Sequence, residues 1–243
     1  ALARQRAWLA GRLQELLGRP DLAAVRECGR VGLREVTSRA ENHFDLQVEG
    51  LSDALVPAGD AGGGGGEPPA WLPVLEEALG GPAEVRISGV FLALPDSEPQ
   101  EWHADGPHRD CEVHAPPYAV NVLLPLVSLS GEAGARRGRT ELLRSSHLLW
   151  RTGMGPRGCA PSEEELKDIR VPELDLGDAL LFDHRLRHRA GANGSAEERP
   201  VAYLTYCRTA DPWVDPNLLD RVPLRLAGAL LGRLPSSLEE IDE

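Results

Sequence analysis

Two short stretches of the chain carry a histidine and an aspartate two positions apart. In QEWHADGPH, residues 100–108, His103 and Asp105 are followed at once by a glycine and a proline. Side chains at positions i and i+2 of an extended strand point to the same face, so these two can approach one ion. The other pair, His43 and Asp45 in NHFDLQ, lies in an alternating run whose polar face is explained by solvent alone. We therefore expect a metal site at the first pair only.

A third ligand for such a site must come from elsewhere in the chain. The segment LLFDHRLRHRAG supplies His184 and His188 directly after a hydrophobic run. Two histidines and one carboxylate on one side of an ion form the facial triad of non-haem Fe(II) oxygenases, which leaves three coordination positions open. An isolated HxD pattern is weak evidence for a metal, and spacing alone does not choose between the two histidines.

Composition restricts the class of protein. The 243 residues carry a formal net charge of −12, which repels phosphate backbones, so nucleic acid is not the expected partner. No apolar run approaches the roughly 20 residues that cross a bilayer, and we expect no membrane-spanning segment. The four cysteines form no CxxC pattern, which indicates reduced thiols in an intracellular, most simply cytoplasmic, protein. Because the chain begins with alanine, we expect its natural start to have been removed.

Residue periodicity indicates a mainly β fold with flanking α-helices. Helical spacing is found over residues 4–17, 71–81, 162–169 and 217–234, and a glycine-rich surface loop is expected at 59–69. Alternating or β-branched runs predict strands at 42–51, 84–94, 118–127, 139–143, 173–183 and 200–208. Short strands separated by turns, with helices mainly at the ends of the chain, are typical of a sandwich or jelly roll.

Four segments carry a specific combination of motifs. They are WHADGPH at 102–108, YAVNVLLPL beginning at 118, GRTELLRSSH at 138–147 and GDALLFDHRLRHRAGANGSAEERPVAYLTY at 177–206. Together they resemble the phytanoyl-CoA dioxygenase family of Fe(II)- and 2-oxoglutarate-dependent oxygenases, whereas the first part of the chain matches only loosely. The resemblance implies a double-stranded β-helix, a cupin-like jelly roll that holds iron between two sheets. We expect one domain over 1–243, with an N-terminal elaboration at 1–82, a jelly-roll core at 83–208 and a helical tail at 209–243.

The resemblance also implies a role for each matching residue. His103, Asp105 and His188 would be the metal ligands, and His188 is favoured over His184 because HRAGANGS is similar to the family's histidine-glycine-asparagine-serine stretch. Arg199 would anchor the far carboxylate of 2-oxoglutarate, which a guanidinium can hold through two parallel hydrogen bonds. The alternative for this arginine is a surface ion pair with one of the glutamates just before it, Glu197 or Glu198.

The sequence offers weaker candidates for residues of the cosubstrate pocket and of its mouth. Asn121, Thr140 and Tyr118 would line the cosubstrate pocket, although the first two could instead satisfy buried backbone groups and the tyrosine could simply pack. A structural role is the interpretation for His147. The arginines near the expected mouth could attract an anionic substrate or form a solvated face; they are Arg136, Arg137, Arg139, Arg144, Arg151 and Arg157.

The implied reaction is the hydroxylation of a small organic substrate, which could be anionic. Fe(II) and O2 would act with 2-oxoglutarate as cosubstrate, releasing succinate and CO2, with ascorbate as a supporting reductant. Asp105 disfavours the iron-dependent halogenases, which lack the carboxylate ligand. Two alternatives are a catalytically silent jelly-roll module that binds metal or 2-oxoglutarate, and a cupin-like metalloenzyme independent of 2-oxoglutarate.

Overall fold

The computed structural model describes residues 32–33, 36–40, 42–46, 48, 50–56, 68–110, 112–148 and 161–211. These residues form ten strands: β1 Gly32–Leu33, β2 Val36–Ala40, β3 His43–Leu46, β4 Ala83–Ala93, β5 Ala119–Pro125, β6 Thr140–Leu143, β7 Ile169–Arg170, β8 Leu180–Asp183, β9 His188–Ala190 and β10 Arg199–Arg208. They also form four helices: α1 Leu51–Leu55, α2 Leu72–Leu79, α3 Gly131–Arg137 and α4 Glu163–Leu166.

The strands make two antiparallel sheets. The larger has the order β1-β2-β3-β4-β10-β5-β8, and the smaller has the order β7-β6-β9. Strand β10 lies between β4 and β5 and pairs with both along most of its length. Consecutive strands such as β8, β9 and β10 alternate between the sheets, as they do in a jelly roll. The expected fold class is confirmed.

Both faces of the central strands are buried. On β10, Ala202, Leu204 and Tyr206 join the core that packs beneath α1 and α2. The alternate residues Val201 and Tyr203 join a second core, which reaches the smaller sheet. A strand covered on both faces reads as a nearly continuous apolar run, which is why 118–127 and 200–208 are recognisable in the sequence. The strands predicted at 84–94 and 139–143 are also present, as β4 and β6.

Two of the predicted helix boundaries are marked by the residues that the sequence indicates, one at a C-terminus and one at an N-terminus. Helix α2 ends at Gly80, whose φ of 74° lies in the left-handed region. At α4 the Ser162 side chain accepts the Glu165 backbone N–H while the Glu165 carboxylate accepts the Ser162 N–H, a complete capping box. The helix predicted over 162–169 is nevertheless shorter, because Ile169 already begins β7.

The strand predicted over 42–51 is confirmed only at His43–Leu46, and its half-buried character is wrong. Strand β3 stops at Leu46, α1 begins at Leu51, and all four residues of β3 are buried. Since β3 lies between β2 and β4, neither of its edges faces solvent. The Asp45 carboxylate, 1% exposed, accepts a 2.8 Å hydrogen bond from the hydroxyl of Tyr203.

The strand predicted over 173–183 is confirmed only in its last four residues. A turn precedes β8: the Asp178 N–H donates to the Asp175 carbonyl at 3.0 Å, and its carboxylate accepts the Asp175 N–H at 2.7 Å. Gly177 has a φ of 103°. Strand β9 and helix α3 were not expected. The helices predicted over 4–17 and 217–234, and most of the loop at 59–69, lie outside the described residues.

In the part of the chain that the structure describes, no helix combines the length and the apolar character needed to span a bilayer.

Gly89 allows the Tyr203 ring to cross β4 toward Asp45. A Cβ at Gly89 would lie 2.6 Å from the tyrosine hydroxyl and 2.8 Å from the Leu46 carbonyl. We predict that Gly89→Ala lowers the free energy of unfolding by about 1–3 kcal/mol, measured by urea denaturation. Gly194→Ala is the control, because the nearest atom to its Cβ is 4.0 Å away. Equal effects of the two substitutions would contradict the close approach at Gly89.

Candidate metal centre

A reciprocal backbone pair brings two distant histidines together. The His103 N–H donates to the His188 carbonyl at 3.0 Å, and the His188 N–H donates to the His103 carbonyl at 2.8 Å. The two imidazole rings consequently lie with their centroids 4.5 Å apart. His188 belongs to β9, whereas His103 lies in an irregular segment that joins β9 through this bridge and through the Gln100 N–H, which donates to the Ala190 carbonyl at 3.0 Å.

Both rings present Nε2 to the centre. The Nδ1 atom of His103 lies 2.8 Å from the Glu101 carbonyl, and that of His188 lies 2.9 Å from the Leu186 carbonyl. A carbonyl only accepts, so each Nδ1 carries the hydrogen and each Nε2 keeps its lone pair when the ring is neutral. Asp105 lies 3.9 Å from Nε2 of His103 and 3.7 Å from Nε2 of His188. Among the described residues, these three side chains form the group that could hold a metal ion, with ligand atoms within 4.8 Å of one another.

The electrostatics favour the protonation states that bind metals. Burial lowers the pKa of His188 to about 4, so its ring is neutral at physiological pH. Burial would by itself raise the pKa of Asp105, but the surrounding histidines and a hydrogen bond from Asn121 outweigh it and hold that pKa well below its usual range. A deprotonated carboxylate thus faces a neutral imidazole, as ligation requires.

His184 lies beside the centre without belonging to the ligand group. Its Nδ1 is 3.2 Å from Oδ1 of Asn121 and 3.9 Å from the Asp105 carboxylate. Its carbonyl accepts the backbone N–H groups of Asp105, at 3.1 Å, and of Gly106, at 3.2 Å. The structure therefore brings together the predicted set of His103, Asp105 and His188, and places His184 behind it.

Steric crowding explains why position 106 of the HADGPH segment is a glycine. A Cβ there would lie 2.2 Å from the Tyr118 hydroxyl and 2.6 Å from the His184 ring. That hydroxyl donates to the Pro107 carbonyl at 2.9 Å, and burial raises the pKa of Tyr118 to about 12. Tyr118, predicted to line the cosubstrate pocket, thus binds the loop that carries Asp105.

Arg199 is the principal buried charge of the site. Its side chain is 2% exposed, its Nη1 donates to the Gly138 carbonyl at 2.7 Å, and its Nε has no hydrogen-bond partner among the described residues. Burial lowers its pKa to about 10, which leaves the guanidinium charged at neutral pH. The surface ion pair considered for it is wrong, since Glu197 pairs instead with Arg137.

Strand β6 connects Arg199 to the metal centre. Leu142 pairs in register with His188, and Thr140, which is buried, pairs with Ala190. Two residues along a strand span about 7 Å. Gly138, the acceptor of the Arg199 guanidinium, is two residues further on. Residues 138–142 therefore lead from the hydrogen-bond acceptor of Arg199 to the residue that pairs with His188.

Ion pairs and ring contacts account for some of the arginines considered for anion binding and for His147. Arg139 pairs with Glu173 at 3.1 Å, as Arg137 does with Glu197, which removes two arginines from a possible anion-binding surface. Arg151 and Arg157 lie outside the described residues. His147, expected to be structural, forms a row with His114 and His108, whose ring centroids are 6.2 Å apart at each step.

A cavity of about 530 Å³ lies beside β8, and none of His103, Asp105 and His188 lines it. Its walls combine Leu75 of α2 with Leu142, Phe182 and His147. The Phe182 ring also lies 4.7 Å from the His188 ring, so this side chain contacts both the cavity and a predicted ligand. Its volume is in the usual range for pockets that bind small organic molecules.

Two residues of the site region were not anticipated from the sequence. Asn193 is fully buried, and its amide donates to the carbonyls of Ala93, Leu94 and Glu197, which fastens the β9–β10 connection to β4. Thr205 donates to Asn121 at 2.8 Å. Thr205 stands within an apolar strand sequence, where a lone threonine gives no signal of its own.

Comparison with known families and structures agrees with this fold. The family model described as phytanoyl-CoA dioxygenase (PhyH) matches residues 27–201. AviO1 from Streptomyces viridochromogenes Tue57 is similar with a TM-score of 0.56 and 18% identity, covering 87% of each chain.

Two further solved structures are similar in fold. EctD from S. alaskensis, with 2-oxoglutarate and 5-hydroxyectoine, has a TM-score of 0.55 and 19% identity over 86% of this chain and 69% of that one. The epimerase SnoN, in complex with Fe3+, alpha ketoglutarate and nogalamycin RO, has a TM-score of 0.52 and 17% identity over 97% and 82% of the two chains.

Proposed function

Because the chain belongs to the phytanoyl-CoA dioxygenase (PhyH) family, we propose that it is an Fe(II)- and 2-oxoglutarate-dependent dioxygenase that hydroxylates a small organic molecule. The observation that carries the proposal is the presence of both a His-Asp-His group and a buried guanidinium that donates to Gly138, two residues before β6. The first suits a divalent metal and the second suits a carboxylate.

The chemistry of the ligand group fits iron. His103 and His188 offer imidazole nitrogens and Asp105 offers a carboxylate oxygen, the donor set of the facial triad. Their ring tautomers are fixed by backbone carbonyls, so no rearrangement of protons is needed before a metal binds. Three protein ligands leave positions for cosubstrate and oxygen.

The surroundings of Arg199 fit the far carboxylate of 2-oxoglutarate. A buried charge without an opposite charge costs several kcal/mol, and a bound anion would offset that cost. Thr140 lies between Arg199 and the ligand group and offers a hydroxyl to the same molecule. Asn121 uses one amide N–H on Asp105, and its second N–H can reach a cosubstrate.

Iron with 2-oxoglutarate and O2 supplies the oxidising chemistry, which yields succinate, CO2 and a hydroxylated C–H bond. The chain's own residues hold and shield the reactants. Arg199 orients the dicarboxylic acid along β6, and the apolar side chains of Leu123, Phe182 and Val201 keep water from the space between the sheets. The cavity beyond Phe182 receives a substrate of small-molecule size.

The similarity to SnoN defines what product analysis must distinguish. SnoN is described as an epimerase. Hydroxylation incorporates an oxygen atom into the substrate, whereas epimerisation returns a substrate of unchanged mass. Mass spectrometry of the product of a substrate that stimulates succinate release separates these outcomes, and an unchanged mass would reject the hydroxylase assignment.

We predict that Asp105→Asn weakens Ni(II) binding by more than about 100-fold, since even the outer partners of a metal ligand are worth about 10–100-fold. Isothermal titration calorimetry of the metal-free protein measures the affinity. Asp45→Asn is the matched control, because it alters the other HxD pair and keeps an oxygen for the Tyr203 hydroxyl. Wild-type affinity in the Asp105 variant would reject the ligand assignment.

We predict that Arg199→Gln weakens 2-oxoglutarate binding to the Ni(II)-loaded protein by ~10–100-fold, because charge-assisted hydrogen bonds are lost, and leaves Ni(II) affinity unchanged. Arg189→Gln is the control, since that arginine pairs with Glu141 at 2.8 Å. Unchanged 2-oxoglutarate affinity in the Arg199 variant would reject its role as the carboxylate anchor, and full metal-dependent activity of that variant would favour a cupin-like enzyme independent of this cosubstrate. Binding of Fe(II) and 2-oxoglutarate by the wild type without succinate release in air would favour the silent module.

A further inference from the structure

Asn121 is buried and is hydrogen-bonded through both of its polar atoms. Its Nδ2 lies 2.6 Å from Oδ2 of Asp105. Its Oδ1 lies 2.8 Å from Oγ1 of Thr205 and 3.2 Å from Nδ1 of His184. The four side chains thus form one connected network that ends on the predicted carboxylate ligand.

Chemistry decides the orientation of the amide and the tautomer of the histidine. The ionised carboxylate of Asp105 only accepts hydrogen bonds, so the amide group nearest to it must be the NH2 of Asn121. The amide oxygen then faces two groups that must both donate, the hydroxyl of Thr205 and Nδ1–H of His184. All three hydrogen bonds therefore run toward the carboxylate, and exchanging the amide oxygen and nitrogen would set two acceptor oxygens, those of Asn121 and Asp105, against each other.

The network joins a loop residue to the most regular part of the fold. Thr205 on β10 pairs in register with Asn121 on β5, which pairs with Phe182 on β8. His184 directly follows β8, and its N–H is held by the Ala119 carbonyl at 3.1 Å. Asp105 belongs to no strand. Three neighbouring strands of the large sheet thus support one ligand that no strand pairing fixes.

His184 acts on this ligand at two points. Its ring donates to Asn121, and its carbonyl accepts the backbone N–H of Asp105 at 3.1 Å. Both the main chain and the carboxylate plane of Asp105 therefore depend on the position of one residue. The histidine that the sequence left as an alternative ligand has a different role.

We propose that Thr205, Asn121 and His184 are positioning residues that fix the carboxylate plane of Asp105 for metal binding. The inference rests on the proposed function, because it assigns these residues to that metal centre. Thr205 gives the sharpest test: its hydroxyl bonds Asn121, so any effect on the metal passes through the amide.

Titration of the metal-free protein with Ni(II), by calorimetry without oxygen, tests the proposal. Outer partners of metal ligands are typically worth about 10–100-fold in affinity. We expect Asn121→Ala to weaken Ni(II) binding by about 10–100-fold and Thr205→Val, one hydrogen bond further away, by about 3–10-fold. Thr205→Ser keeps the hydroxyl and should restore wild-type affinity.

Tyr206→Phe is the matched control on the same strand. The Tyr206 hydroxyl lies in the core beneath α1 and α2 and accepts the Trp71 indole N–H at 3.2 Å, so its loss should lower the melting temperature but leave Ni(II) affinity unchanged. The absorption spectrum of the Co(II)-loaded protein provides a second readout. A reoriented ligand changes the positions of the d–d bands, whereas a smaller folded fraction only scales them.

The outcomes are separable. Wild-type Ni(II) affinity and an unchanged Co(II) spectrum in Thr205→Val would overturn the positioning role and leave the metal centre intact. A loss of affinity in Thr205→Ser as large as that in Thr205→Val would also overturn it, because packing and not the hydroxyl would then be responsible. A wild-type protein that binds no Ni(II) would overturn the proposed function itself.

Discussion

The site depends on two backbone hydrogen bonds between His103 and His188. They close an antiparallel bridge between segments that are far apart in the chain, and with the ring hydrogen bonds to the Glu101 and Leu186 carbonyls they set the two rings 4.5 Å apart. An antiparallel pair places opposite residues within about 5 Å of each other, which is the spacing that two ligands of one ion need. The jelly roll supplies this bridge because consecutive strands cross between its sheets, so that β9 meets the segment after β4.

Asp105 and Arg199 are oppositely charged groups with different surroundings. Asp105 is surrounded by three histidines and an amide, which stabilise its ionised form. Arg199 is buried, and its guanidinium donates to the Gly138 carbonyl. Arg139, by contrast, pairs with the carboxylate of Glu173. Arg199 therefore differs from Arg139 in having a backbone carbonyl, and not a carboxylate, as its hydrogen-bond acceptor.

Much of the site could be predicted because its residues follow one another in recognisable local patterns. The pair His103 and Asp105, the buried strand β10 and the capping box at Ser162 each depend on neighbours within a few positions. The support for Asp105 could not be predicted, because Thr205 and Asn121 meet only through strand register. The strand expected over 173–183 was too long for a related reason: Leu174 is buried just before a turn and Leu176 is exposed within it, and the apolar pattern alone does not separate this case from a strand.

The two HxD pairs show why a motif needs its position in the fold before it has a function. Asp45 lies in the middle of a covered strand, and the Tyr203 hydroxyl stabilises its carboxylate in the core. Asp105 lies in a loop at the sheet edge, and its side chain is 33% exposed. Exposure to solvent does not explain the pair His43 and Asp45, contrary to the expectation from the sequence. A hydrogen bond within the protein explains its aspartate instead. A metal ligand must be held firmly and still be reachable, and only the loop aspartate combines support from the sheet with access from outside.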